Sequence, residues 1–230
     1  MALLGESALA MWWDMAAGMR AEFEHWHSHE HFPERLALPG FQRASRWSAA
    51  DGGDGFFILY ELAEHGALSS PEYLASLNAP TAWSTRLMPH HRNMVRSQTR
   101  MLHSHGAGVA RHALTLRLSP RDGQAQHLQA ALRSLVEALP LRAGLAGAHL
   151  LRTDTPAIAP TTEQKIRGNA DRSADWILVV CGYELEVLRR LGAEEAAPAA
   201  LEASGAAPGA VAGWYSLSLS VARGENTGVR

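Results

Sequence analysis

The sequence predicts an α+β fold made of two successive β-α-β-β-α-β units in one chain. Three observations support this prediction. Some segments alternate between apolar and polar residues, as half-buried strands do, and others repeat apolar residues at the three- and four-residue steps of helices. The order of these segments in the N-terminal half then recurs in the C-terminal half. Sequence identity between the halves is faint, so the inference depends on the order of elements.

Four strand-like segments lie in the N-terminal half. The first, 7–13, is a short apolar run between turn-forming residues, which is typical of a buried strand. Residues 41–47 alternate in polarity, and 56–62 form a dense apolar run after a glycine-rich turn. The fourth strand is predicted over 93–102.

Two helical regions connect these strands. Apolar residues recur at helical spacing over 16–32, and Pro33 is expected to kink or restart this helix because proline donates no backbone hydrogen bond. The second helix begins within 69–72, where a serine serves as the cap and a proline occupies the first turn. A further helical turn is expected over 83–88.

The C-terminal half repeats this order. Its strands are predicted at 111–118, 147–152, 176–183 and 212–221, and its helices at 124–139 and 185–191. Three connections are predicted without regular structure: a small-residue linker over 103–108, a polar loop over 153–173 and a mobile Ala/Pro/Gly-rich stretch over 193–208.

The chain therefore divides into an N-terminal ferredoxin-like half over 5–105, a C-terminal ferredoxin-like half over 109–222 and a disordered tail over 223–230. An antiparallel four-stranded sheet with helices on one face leaves its other face uncovered. Two such sheets in one chain can cover each other. We expect the two tandem halves to pack sheet to sheet as an intrachain α/β barrel, either in a monomer with a pseudo-dimeric barrel or in a homodimer.

Charge and composition exclude several classes of partner. The net charge is −2 and the pI is about 6.6, so the chain has no basic field to gather nucleic acid or an acidic membrane surface. Cys181 is the only cysteine and lies in an apolar run, which predicts a buried thiol and no disulfide. The sequence shows no signal-peptide pattern and no uncharged apolar run of about 20 residues. A cytoplasmic location is expected.

Titratable side chains are most concentrated over 23–41, which holds four histidines at alternate positions. In a helix, His27 and His31 share one face, whereas His25 and His29 point to nearly the opposite side. The apolar stripe of the helix places the His27 face nearer the interior. The sequence therefore favours His27 and His31 as the pair that borders a site.

Acid–base catalysis is one interpretation of this pair. Histidine titrates near neutral pH, so His27 or His31 is suited to move a proton to or from a small carbonyl compound. A substrate carboxylate or a developing enolate would be held by Arg35, Arg43 or Arg96.

Two other interpretations stay open. Residues 27–31 match the H-x-x-E-H pattern of inverted zinc proteases, but no downstream carboxylate ligand or protease domain accompanies it, so no metal or cofactor is expected. A purely structural role is also consistent, in which His31 satisfies carbonyls that Pro33 leaves free at the kink.

Glu61 follows Tyr60 on the third strand and alternates faces with it. If the Glu61 carboxylate points into the barrel it needs a cationic partner. The candidates are Arg46, Arg96 and Arg100.

The helix and turn over 23–41 also carry a family resemblance, in Phe23 ahead of the His25-Trp26 pair, His31, Pro33 and Leu38-Pro39-Gly40-Phe41. This segment resembles the dimeric α/β-barrel superfamily, in its EthD-like, antibiotic-monooxygenase-like and methylmuconolactone-isomerase-like branches. The resemblance covers about residues 5–105 and implies ferredoxin-like units that pair sheet to sheet. The spacing from Trp26 to His31 is one residue longer than the EthD-like pattern implies.

This resemblance implies activity as a cofactor-free oxygenase, isomerase or cyclase. Haem-binding relatives would need an axial histidine in the second half, where His112, His127 and His149 have no supporting motif. We therefore predict a small-molecule-binding protein, possessing cofactor-independent isomerase or monooxygenase activity on a small aromatic or lactone metabolite. The alternative is a non-enzymatic binding or structural barrel protein.

Overall fold

Eight antiparallel strands close into one barrel in the computed structural model, which describes residues 3–168 and 171–224. Strands β1 to β8 are Ser7–Met15, Phe41–Ala49, Gly55–Leu62, His91–Gly106, His112–Leu118, Leu145–Thr153, Trp176–Gly182 and Val211–Ala222. Their order around the barrel is β1-β3-β2-β8-β5-β7-β6-β4, and β4 pairs with β1 to close it. Each set of four strands thus has the order fourth, first, third, second. The predicted pair of ferredoxin-like halves packed as an α/β barrel is confirmed.

Helices cover the outside of the barrel. Helices α1 to α8 are Arg20–Trp26, Phe32–Ala37, Pro71–Asn78, Ala82–Leu87, Ala125–Ala138, Thr162–Arg167, Leu185–Ala193 and Pro198–Ala203. A five-residue π turn, His27–His31, joins α1 to α2. Within the described residues, no helix is long and apolar enough to cross a membrane.

Three connections differ from the sequence-based expectation. Residues 103–106 are not a linker but the end of β4, because they pair with β6 and so join the two sheets. The polar loop over 153–173 contains α6, and the stretch over 193–208 contains α8. Of the predicted disordered tail, 225–230 lie outside the described residues, and 223–224 form a turn at which the Arg223 amide donates to the Gln42 carbonyl.

Alternation along the strands sends one set of side chains to the helices and the other into the barrel. The barrel interior is filled by a column of aromatic rings, with the Trp12 and Phe57 centroids 5.1 Å apart and those of Phe57 and Trp47 5.2 Å apart. Cys181 lies in the same interior cluster, where burial raises the pKa of its thiol to about 12. The interior of the barrel is therefore a packed core. The predicted burial of the Cys181 thiol is confirmed.

Glu61 is completely buried, and Arg43 is its partner. The Arg43 Nε and Nη2 atoms donate to the two carboxylate oxygens at 2.7 and 2.8 Å, and the Leu4 amide donates to Oε2 at 2.7 Å. The expected partners Arg46, Arg96 and Arg100 were wrong. The register of β2 against β3, which shifts at a bulge after Phe41, places Arg43 directly opposite Glu61, and the sequence does not reveal this shift.

The predicted serine cap of the second helical region is Ser70, whose hydroxyl accepts from the Tyr73 amide at 3.2 Å. We expect Ser70→Ala to lower the free energy of unfolding by about 1 kcal/mol, because one terminal N–H group loses its acceptor. Urea denaturation of the purified variant measures this loss. Ser69→Ala, which changes an exposed neighbour that does not cap α3, is the control. Equal stability of the Ser70→Ala variant and the wild-type protein would contradict the assignment.

Candidate active site

The histidine-rich segment interrupts its helix with a π turn. The Phe32 amide donates to the His27 carbonyl, five residues earlier, and α2 then restarts with Pro33 in its first turn. A π turn accommodates one residue more than an α turn, which accounts for the long spacing between Trp26 and His31. Such insertions occur frequently at functional sites.

The two predicted histidine pairs face opposite sides, as expected. His27 is 1% exposed, the His31 side chain is 12% exposed, and their rings lie parallel with centroids 5.5 Å apart. His25 and His29 are exposed, and their ring centroids lie 4.6 Å apart. Only the His27 and His31 pair therefore faces the protein interior.

Two adjoining cavities, of about 30 and 40 Å³, lie between strands β1, β3 and β4 of the N-terminal half and the helices that cover them. His31 borders both cavities, and His27 borders the larger. The other residues common to both are Met11, Tyr60, Glu163 and Arg167. A volume of this size holds about one or two water molecules. We refer to the two together as the histidine cavity.

His91 is a third histidine at the histidine cavity. It is 6% exposed, and its Nδ1 lies 3.2 Å from both the Leu87 and Met88 carbonyl oxygens. Because carbonyls only accept hydrogen bonds, we assign the ring proton to Nδ1 and leave Nε2 as an acceptor. Strand β4 begins at His91, and the His91 ring packs against Phe23 and Trp26 of α1.

Five polar atoms of residues that line the histidine cavity are buried without a hydrogen-bond partner: Trp13 Nε1, His27 Nδ1, His31 Nδ1, the Tyr60 hydroxyl and Arg167 Nε. The nearest carboxylate to His31 Nδ1 is that of Glu34, at 3.7 Å, which is beyond hydrogen-bond distance. His31 Nδ1 therefore makes no hydrogen bond to the carbonyls at the kink, which is the pairing that the structural interpretation expects. Each unpaired buried group costs about 1–3 kcal/mol, so such a cluster indicates a site for water or ligand.

Burial keeps the imidazoles of the histidine cavity neutral. Desolvation lowers the pKa of His27 well below its usual value, as does the neighbouring His31. Desolvation also holds the pKa of His31 well below its usual value, with Arg35 acting in the same direction, and it lowers the pKa of His91 to about 4. The three rings are therefore uncharged at neutral pH, and each has one ring nitrogen without a proton that can accept a hydrogen bond.

Tyr60 has the complementary role. It is 2% exposed, and desolvation raises the pKa of its phenol. The hydroxyl therefore keeps its proton at neutral pH and is a hydrogen-bond donor toward the cavity.

The C-terminal half closes the histidine cavity through α6. Glu163 accepts a hydrogen bond from Arg35, and both side chains are under 10% exposed. Arg35 also donates to the Ser76 hydroxyl, and Arg167 pairs with Asp171 at 2.7 Å. Desolvation is the largest effect on Arg35 and acts to lower its pKa, but Glu163, Tyr73, Glu34 and Tyr60 together outweigh it, so this pKa is raised and the guanidinium stays charged.

Sequence reasoning missed Glu163 and Arg167 because 153–173 was interpreted as a loop. A signal was present: Thr161 and Gln164 form a capping box, with the Gln164 amide donating to the Thr161 hydroxyl at 3.4 Å and the Thr161 amide donating to the Gln164 side chain at 2.9 Å. A Thr-x-x-Gln pattern is a helix-start signature, so α6 was open to prediction although its docking position was not.

The predicted anion-binding arginines occupy different places. Arg35 borders the histidine cavity but is paired with Glu163. The structure does not bring Arg43 to the cavity, since it is bound to Glu61 in the barrel interior. Arg96 lines the cavity, donates to the Tyr73 hydroxyl at 2.8 Å and makes no ion pair within the described residues.

The zinc-protease pattern does not assemble. The Glu30 carboxylate accepts from the Trp26 indole at 3.0 Å and from the Thr81 hydroxyl at 2.5 Å, and so is not oriented as a base beside His27 and His31. Residues 3–168 and 171–224 contain no group of three or more side chains suited to hold a metal.

The second-half histidines do not present an evident haem ligand. Both ring nitrogens of His149 are hydrogen-bonded, to the Ser104 hydroxyl at 2.8 Å and the Ala107 carbonyl at 3.2 Å. His112 Nδ1 lies 3.0 Å from the Ser216 hydroxyl, and His127 is exposed on α5.

No protein-family profile matches the chain, and no curated protein matches it by sequence. Solved structures match it in fold. An anthrone oxidase-like protein has a TM-score of 0.64 at 9% identity, covering 100% of this chain and 99% of that one. A candidate monooxygenase from Fusobacterium nucleatum has a TM-score of 0.61 at 8% identity, covering 96% of each chain. Another from Lactobacillus acidophilus has a TM-score of 0.56 at 7% identity, covering 95% of this chain and 97% of that one. The chain thus has the ferredoxin-like barrel fold of these monooxygenase-type proteins, and the predicted resemblance is confirmed at the level of fold.

Proposed function

We propose that the histidine cavity binds a small aromatic or lactone-type molecule and removes a proton from it without a cofactor. One observation carries this proposal: buried, neutral imidazoles and the Tyr60 hydroxyl converge on one cavity with unpaired polar atoms. An enzymatic function requires a cavity bordered by His27 or His31, and the histidine cavity meets this requirement. Convergent polar groups with shifted pKa values in a mostly apolar pocket are typical of a ligand site.

The proposed chemistry begins with an acidic C–H or O–H group of the substrate. His31 or His27 accepts this proton, because each is neutral and has an unpaired buried Nδ1. The oxygen of the resulting enolate or phenolate receives a hydrogen bond from Tyr60 and faces the unpaired charge of Arg96. Reprotonation at another carbon is an isomerisation, and reaction of the anion with dioxygen is an oxygenation.

Arg96 replaces Arg35 and Arg43 as the proposed anion clamp. Arg35 and Arg43 already have carboxylate partners, Glu163 and Glu61 respectively. A guanidinium without a counter-ion attracts developing negative charge more strongly than one that is already paired. The names of the structural relatives, anthrone oxidase-like protein and candidate monooxygenases, agree with chemistry at an acidic C–H group.

The second candidate function is non-enzymatic: the chain would serve as a binding or structural barrel protein. The small volume of the histidine cavity favours this alternative. Cavities of about 30 and 40 Å³ admit water but no aromatic ring. The enzymatic proposal therefore requires α6, which contributes Glu163 and Arg167, to move away from α2 when the ligand enters.

Deuterium exchange of anthrone tests proton abstraction separately from oxygenation. We expect the wild-type protein, under argon in deuterated buffer, to accelerate exchange at the acidic CH₂ group of anthrone. His27→Gln and His31→Gln are expected to lower this rate by about 10²-fold or more, the usual contribution of a positioned base. Because the pKa values of these histidines are depressed, the rate is expected to persist below pH 6.5. Mass spectrometry measures the exchange, and anthraquinone formation in air then tests the oxygenation.

His25→Gln is the matched control, since it removes an exposed histidine from the same segment. The rate of this variant is expected to equal that of the wild-type protein. Equal rates in the His27→Gln and His31→Gln variants would contradict the catalytic assignment. No exchange or oxidation by the wild-type protein with anthrone or an enolisable lactone would support the non-enzymatic function.

A further inference from the structure

A second cleft lies at one mouth of the barrel and shares no lining residue with the histidine cavity. Its volume is about 270 Å³, close to the lower limit of small-molecule sites. We call it the mouth cleft. Its lining includes Arg117, Arg172, Asp175, Pro208 and Val211.

Arg117 lines the mouth cleft as a cation without a polar partner. Within the described residues, its side chain makes no hydrogen bond and no ion pair, and its guanidinium carbon lies 5.1 Å from the centre of the Trp12 ring. Trp12 is itself held by the Thr115 hydroxyl, to which its indole donates at 3.2 Å, and by stacking on Phe57. The aromatic column inside the barrel therefore supports this guanidinium from one side.

Arg172 adds a second cation to the same cleft. Among the described residues, its Nη2 donates only to the Asn93 carbonyl, at 3.4 Å. Desolvation lowers the pKa of Arg117 and the charge of Arg172 also lowers it, whereas Tyr215 and Asp14 act to raise it. Two neighbouring guanidinium groups repel each other unless an anion lies between them.

Neither nearby carboxylate neutralises these arginines. Asp175 accepts a hydrogen bond from the Ser119 hydroxyl at 2.5 Å, and Asp14 accepts one from the Asn93 amide group at 2.7 Å. Within the described residues, neither carboxylate lies within 4.0 Å of the Arg117 or Arg172 guanidinium. The cleft therefore offers positive charge to a ligand.

The opposite wall of the mouth cleft is apolar. Val211 is 46% exposed, which makes it one of the few large hydrophobic side chains in the described part of the chain with such exposure. Pro208 and Val95 line the cleft beside it. A ligand that interacts favourably with both the arginines and the apolar wall has an anionic group and an apolar body.

We propose that the mouth cleft binds a small organic carboxylate, whose carboxylate is held by Arg117 and Arg172 and whose apolar body lies against Val211 and Pro208. Arginine matches this ligand because its planar fork meets both oxygens of a carboxylate. The site is independent of the chemistry proposed for the histidine cavity.

Calorimetric titration of the full chain with naphthalene-2-carboxylate tests the proposal. We expect saturable binding of the carboxylate and at least 10-fold weaker binding of the neutral naphthalene-2-carboxamide. Arg117→Gln, which removes the charge but keeps a polar side chain, is expected to weaken carboxylate binding by about 10- to 100-fold, since a charge-assisted hydrogen bond contributes about 1.5–3 kcal/mol. Arg172→Gln is a second variant at the exposed side of the cleft, in case Arg117→Gln does not fold.

Arg133→Gln is the matched control, because it makes the same change of net charge on the exposed surface of α5. Its affinity for the carboxylate is expected to equal that of the wild-type protein. Absence of saturable binding would overturn the proposal, as would equal affinity for the carboxamide or unchanged binding in the Arg117→Gln and Arg172→Gln variants. Equal affinity for inorganic phosphate would also overturn it, because the apolar body would then contribute nothing.

Discussion

Glu163→Gln is expected to lower the free energy of unfolding by about 3–5 kcal/mol, the usual result of removing one partner from a buried ion pair. The Glu163 side chain is 8% exposed and that of Arg35 is 4% exposed. Little water therefore reaches the Arg35 guanidinium to solvate it once the carboxylate charge is removed. Glutamine has nearly the shape of glutamate. The loss therefore reports a guanidinium without its buried partner and not a cavity, since the remaining carboxylate, that of Glu34, lies 3.9 Å away. Urea denaturation monitored by circular dichroism measures it.

The exposed ion pair of Glu186 with Arg189 provides the control. Its side chains are 80% and 48% exposed, and Glu186→Gln is expected to cost no more than about 1 kcal/mol. The double variant Arg35→Met, Glu163→Met is expected to be more stable than Glu163→Gln, because it leaves no unpaired charge. A Glu163→Gln variant within 1 kcal/mol of the wild-type protein would show that α6 does not hold the pair in the buried geometry.

Acid is expected to destabilise the protein through its buried histidines, with a loss of about 3 kcal/mol from His91 alone between pH 6.5 and pH 4. Burial lowers the pKa of His91 to about 4, below the value of about 6.5 in an unfolded chain. In this pH window the unfolded chain binds a proton that the folded chain does not. The contribution of neutral His91 to the free energy of unfolding is therefore fully present above pH 6.5 and is lost as the pH falls toward 4. The depressed pKa values of His27 and His31 act in the same direction.

His91→Asn isolates this contribution, because the asparagine amide nitrogen can occupy the position of imidazole Nδ1 and does not titrate. Denaturation at a series of pH values is expected to show a shallower loss for this variant than for the wild-type protein. The groups that act on His91 are Arg167 of α6, His90 and the carbonyls of Leu87 and Met88, and all of them are retained. His25→Asn, at an exposed position, is the control. Parallel pH profiles of the His91→Asn variant and the wild-type protein would contradict the prediction.

Local sequence patterns specified most of the fold. Strand alternation, the cap at Ser70 and the restart at Pro33 act over a few residues, so a single sequence contains them. The matching order of elements in the two halves was enough to predict paired sheets. The patterns failed where pairing between strands decides the structure of a segment whose composition is typical of a linker. His103 and His105 lie in such a segment, but they belong to β4 because β6 pairs with them.

The candidate site was predictable only in part, for the same reason. Helical geometry separates His27 and His31 from His25 and His29, since residues four apart share a face. His91, Tyr60 and Glu163 join them from β4, β3 and α6, and no sequence spacing connects these elements.

The sequence by itself thus determined the α+β class, the barrel and the pair of histidines that faces inward. The class and the histidine pair follow from periodicity along single segments, and the barrel follows from the order of elements in the two halves. Only the tertiary structure decided the partners of the charges. The register of β2 against β3 pairs Glu61 with Arg43, and the docking of α6 pairs Glu163 with Arg35. It also left Arg96 and Arg117 without carboxylate partners within the described residues. Charge pairing depends on distances between elements far apart in the chain, and those distances arise only when the two sheets close on each other.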